Sequence, residues 1–130
     1  MSIRNFSLMP LKINPVLDVA YLNQVYGDDA SIIHLIFDAF LGDSVPRWVS
    51  LQNSIDTRDL AQAASIVHGL KPSFTMAGVA WLRPKIEDLE KAIKAEVDTA
   101  VLQQYYSEIS DELNIVMPIL AFESERLAKI

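Results

Sequence analysis

From Ile33 to Leu127 the apolar residues of this chain recur at intervals of three and four, and no stretch alternates apolar and polar in twos. Steps of three and four place side chains on one face of a 3.6-residue helix, whereas a half-buried strand needs a period of two, so the pattern points to helices and leaves no segment for a sheet.

Local signals divide the pattern into elements. Asn14-Pro15 is a helix start, with asparagine as cap and proline at the first helical position, followed by Leu17, Tyr21 and Leu22 and closed near Tyr26 by Gly27. Asp28 or Asp29 caps a second helix carrying Ile33, Ile36, Phe37, Phe40, Ser44, Trp48, Leu51 and Ile55, with a bend expected at Gly42 and Pro46. Asp56 or Thr57 opens a third, through Leu60, Ala63, Val67, Leu70, Phe74 and Ala77, which Gly78 stops. A fourth shows Leu82, Ile86, Leu89, Ile93 and Val97, with Pro84 tolerated in its first turn. Asp98 or Thr99 starts a fifth, running to Leu127 with a kink expected at Pro118. Short connections make successive helices antiparallel, so the expected fold is all-α: an up-and-down antiparallel four-helix bundle with a short additional N-terminal helix. Residues 1–13 read as an N-terminal extension and 14–130 as one domain.

Composition removes several functions. A net charge of -6 argues against nucleic acid, whose binding surfaces concentrate Lys and Arg. The absence of cysteine removes disulfides and thiolate metal sites, and with only His34 and His68, spaced unlike any ligand pair, no metal site is expected. Four glycines at 27, 42, 69 and 78 cannot form a phosphate-cradling nucleotide loop. The patch around Arg4 and Lys12 is too short and polar for a signal peptide, and no run approaches the ~20 apolar residues of a membrane span, so a cytoplasmic protein without membrane insertion is expected.

Two residues stand out chemically. On the third helix His68 lies roughly 130° from the centre of the apolar seam, and Lys71 roughly 70° from it on the same side. An exposed imidazole nitrogen can take up phosphorus as a phosphoramidate, and an ammonium one turn away can offset the phosphate charge. Ala61, Ala64, Ser65 and Thr75 flank this stripe, all small enough for a partner surface to approach the ring. His34 with Asp38 four residues on reads as a modest surface pair. Glu87, Asp88 and Glu90, with Lys91 and Lys94 close behind, read as a solvated charged face. Ser73 has no acid-histidine partner for a hydrolase triad, and Trp48 and Trp81 read as packing residues.

The run His68, Lys71, Ser73, Gly78 resembles the signature of histidine-containing phosphotransfer (HPt) domains of phosphorelays, which reads His-x-x-Lys-Gly, a small residue, then glycine ten positions after the histidine. Pro72 stands where that family usually has glycine, and a proline there kinks the helix after His68 or ends it early. The resemblance implies a phosphocarrier without its own nucleotide site rather than a self-sufficient enzyme. His68 would be the phosphorylated nucleophile, Lys71 the charge stabiliser, Gly78 structural, and Ala61, Ala64, Ser65, Pro72 and Thr75 the partner face. It implies response regulator receiver domains and a hybrid or sensor histidine kinase as partners, Mg²⁺ held by the receiver and no cofactor of its own, and a monomer. A helical adaptor that carries no phosphate is the alternative.

Overall fold

The computed structural model describes residues 11–130, which contain helices and connecting turns and no strand. Most of the expected 1–13 extension, including Arg4, lies outside the described residues. The helices are α1 (Val19–Tyr26), α2 (Ala30–Ala39), α3 (Val45–Asp56), α4 (Leu60–Met76), α5 (Arg83–Lys94) and α6 (Thr99–Ala128), with a single 3₁₀ turn, Ala80–Leu82, leading into α5. Among the described residues no helix is long and apolar enough to cross a membrane.

Between α2 and α3 the rod is not interrupted. Phe40–Ser44 forms a π turn, in which the N–H of Val45 donates to the carbonyl of Phe40. The cause is Pro46: it has no N–H for the carbonyl four residues back and its ring crowds that carbonyl, and widening the preceding turn relieves the clash. The bend expected at Gly42 and Pro46 is therefore built as a register shift. Pro118 and Pro72 both lie inside helices that continue past them, so α4 does not end early after His68.

Three expected helix starts are corrected or refined. Asn14 begins only a turn, its Oδ1 accepting from the N–H of Val16, and regular helix starts at Val19. Asp18, at the cap position, turns its carboxylate elsewhere, to the N–H of Ala80 at 2.8 Å, while its own N–H donates to the Gly78 carbonyl at 2.8 Å. This pins α1 to the end of α4. Asp56 and Thr57 belong to the end of α3; Arg58 adopts a φ of 59°, and Asp59 caps α4 by accepting from Gln62 N–H. Asp29 caps α2 in the expected way through Ile32 N–H.

The core follows the seams. Ala63, Val67, Leu70 and Phe74 of α4 are fully buried against α3 and α5, while α6 covers α2 and α5. Phe74 meets the edge of Phe40 at 5.2 Å, and Trp48 stacks on Tyr106 at 4.8 Å. The Trp48 indole N–H donates to Ser110 Oγ at 2.9 Å, and the Tyr106 hydroxyl donates to the Trp48 carbonyl at 3.1 Å, so both polar tips are satisfied inside the core. Trp81 sits at the rim, partly exposed. Burying side chains of this size contributes about 1.5–3 kcal/mol each, and this fixes which face of α4 remains outside. Gly78 closes α4 with φ 80°, and a Cβ there would fall 2.9 Å from Leu22 Cδ1, so both the turn and the close approach of α1 require glycine.

Candidate functional site

His68 stands on the outer face of α4, its side chain 74% exposed, as the seam geometry demands. Around it Ala61, Ser65, Gly69 and Pro72 are exposed and small. Ala64 and Thr75 are not: both are partly buried, and Thr75 Oγ1 accepts from Arg83 Nη1 at 3.0 Å, so the open surface lies further round α4 than those two residues suggest.

The site contains a residue that charge patterning alone assigns to solvent. Glu90, on α5, is not part of a solvated face; its side chain is 8% exposed and points at α4. Its Oε1 accepts from Lys71 Nζ at 2.7 Å, and its Oε2 lies 3.2 Å from His68 Nδ1 and 3.6 Å from Lys94 Nζ. Glu87 and Asp88 stay towards solvent, Glu87 facing Arg83 at 3.7 Å. The signal for Glu90 is in the chain: it falls four residues after Ile86 and three before Ile93, on the buried face of α5.

The electrostatics follow from this arrangement. The hydrogen bond from Lys71 lowers the Glu90 pKa more than burial raises it, and the His68 contact lowers it further. Glu90 is therefore a carboxylate, an acceptor only. Beside neutral His68 it holds the ring proton on Nδ1 and leaves the lone pair on Nε2. Lys71, 16% exposed, has its ammonium engaged by Glu90, the same carboxylate that lies against His68. Three charged groups and one imidazole thus share one patch between α4 and α5.

His34 belongs to a separate cluster. It is half-buried, with Nδ1 2.8 Å from Ser124 Oγ and 3.0 Å from the Ser124 carbonyl, and Nε2 3.5 Å from Asp38. The expected pairing with Asp38 is present, and Ser124 adds a tie between α2 and α6. Ser124 is buried near the C-terminal end of α6 and donates to Asp38, joining His34 and Asp38 across the two helices. Ser73 is half-buried, and no group of three or more metal-ligating side chains occurs among the described residues.

No protein-family model, curated protein or solved structure matches this chain.

Proposed function

We propose that this chain is a histidine phosphocarrier of the phosphotransfer-domain kind: His68 accepts a phosphoryl group from the aspartyl phosphate of a receiver domain and passes it to another. The observation that carries this reading is an exposed imidazole whose Nδ1 is engaged by a buried carboxylate, leaving Nε2 as the nucleophile. In the step, the Nε2 lone pair attacks phosphorus in line, the P–O bond to the aspartate breaks, and that carboxylate leaves with the electron pair. Phosphoryl transfer asks mainly for positioning and charge stabilisation. The receiver supplies Mg²⁺, and this chain supplies His68, oriented by Glu90, with Lys71 beside it. We read the packing of the 30–56 rod, α4, α5 and α6 as the up-and-down four-helix bundle on which such sites are built, with α1 as the additional N-terminal helix. The chain acts as a monomer in the cytoplasm, served by a sensor or hybrid kinase.

The test is incubation with a phosphorylated receiver domain. Wild type should acquire acid-labile, alkali-stable label on His68, His68→Gln should acquire none while keeping its fold, and His34→Gln should label like wild type. Label on the His68 variant, or none on wild type, would overturn the assignment.

A further inference from the structure

On the side of α4 away from Glu90 a second cation approaches the phosphoacceptor. Arg47, on α3, lies across Gly69, the residue next to His68: a Cβ at Gly69 would fall 2.8 Å from Arg47 Nη2. The guanidinium therefore rests where only glycine leaves room, within about 8 Å of the His68 Cα given a 3.8 Å Cα–Cα step. Among the described residues Arg47 has no ion-pair partner; Asp43, one turn back in the same groove, is not within pairing distance. The cations on the other flank are in a different condition, since Lys71 and Lys94 are both drawn onto Glu90. Of the three cations near His68, two ammonium groups are thus already shared with a carboxylate and one guanidinium is not.

We propose that Arg47 is a second phosphate-facing cation of this site, extending from α3 over Gly69 to hold the phosphoryl group on His68. Guanidinium suits this role, because its planar donors match phosphate oxygens in pairs and it stays charged at every working pH. Gly69 is then explained as well. Mid-helix glycine on an exposed face is unfavourable in itself, and here it keeps open the path of the arginine.

The inference rests on the phosphocarrier reading, and the experiment separates the two. Potassium phosphoramidate serves as donor, its P–N bond breaking as the Nε2–P bond forms and ammonia leaving, so no partner protein is needed. The ³¹P shift of the phosphohistidine is then followed against pH in wild type, Arg47→Gln and Gly69→Ala. A nearby cation disfavours protonation of the phosphoryl-imidazole group, so the wild-type midpoint should lie about half a pH unit below that of Arg47→Gln. Gly69→Ala, whose methyl displaces the guanidinium, should move it the same way. The difference should shrink in high salt. Phosphohistidine at His68 with equal midpoints in wild type and Arg47→Gln would overturn the role of Arg47 alone; no phosphohistidine at His68 in wild type would overturn the phosphocarrier reading and this inference with it.

Discussion

Replacing Glu90 by glutamine keeps shape and removes one charge from the centre of the site. Lys71 Nζ then loses a 2.7 Å contact to a carboxylate and keeps at most a neutral acceptor, in surroundings where its own side chain is 16% exposed. Breaking a fully buried ion pair costs about 3–5 kcal/mol, and a hydrogen bond to a charged group about 1.5–3 kcal/mol. Lys71 can move its ammonium outward along a flexible stem, so the lower range applies and about 2 kcal/mol is expected. For a domain of this size that lowers Tm by about 7 °C at pH 7. The pH dependence has a definite sign. The folded pKa of Glu90 is depressed, so its contribution is complete above the unfolded value of about 4.3 and is lost as pH falls through the lower folded value. Urea midpoints of wild type and Glu90→Gln should therefore differ equally at pH 7 and pH 5.5 and converge below about pH 4. A difference under 1 °C at pH 7, or a gap that survives undiminished at pH 3, would refute the view that this carboxylate is ionised and buried against Lys71.

Two further substitutions probe other joints of the fold. Lys71→Ala should slow phosphoryl acceptance by less than about tenfold, since one auxiliary charge contributes on the order of 1 kcal/mol, and should destabilise the fold because Glu90 keeps its burial without its strongest partner; complete loss of labelling in a folded variant would contradict this. Gly78→Ala places a Cβ 2.9 Å from Leu22 Cδ1 at φ 80°, so it should cost more than about 1 kcal/mol by chemical denaturation, and unchanged stability would show that α1 gives way freely.

Much of this molecule is legible in its sequence because burial imposes a period. The seam of α4 places His68 outside and Phe74 inside without reference to any other helix, and both positions hold. What periodicity cannot convey is which helix lies opposite. Glu90 reads as solvated because its neighbours Lys91 and Lys94 are within one turn of it in the chain; that Lys71 of α4 sits across from it is a fact of packing. The same limit applies to Arg47, which gives no signal in sequence and acquires its position from the meeting of α3 with Gly69. Helix starts blur for a different reason. Asp56, Thr57 and Asp59 are all capping types within four residues, and the choice of Asp59 depends on the turn at Arg58, which binds the Val97 carbonyl across the end of the molecule.

The π turn at Phe40–Ser44 leaves a trace in the spacing of the core: buried positions run Phe40, Ser44, Trp48, two successive steps of four where an α-helix facing one neighbour alternates four with three. Its consequence concerns how such a rod tolerates changes of length. A wide turn absorbs one extra residue, and with it the rotation of about 100° that this residue would add if wound into ordinary turns. The half that packs on α6 and the half that also packs on α4 are thereby kept in phase along one unbroken helix. Winding 40–44 into ordinary turns with every residue kept would swing Trp48 off its stack on Tyr106 and carry Arg47 away from Gly69, whereas removing one residue at the same time would leave both facing as they do. The aromatic centre of the core and the cation over Gly69 are in this sense indexed to the same five residues, so that losing the wide turn without losing a residue would act on both at once.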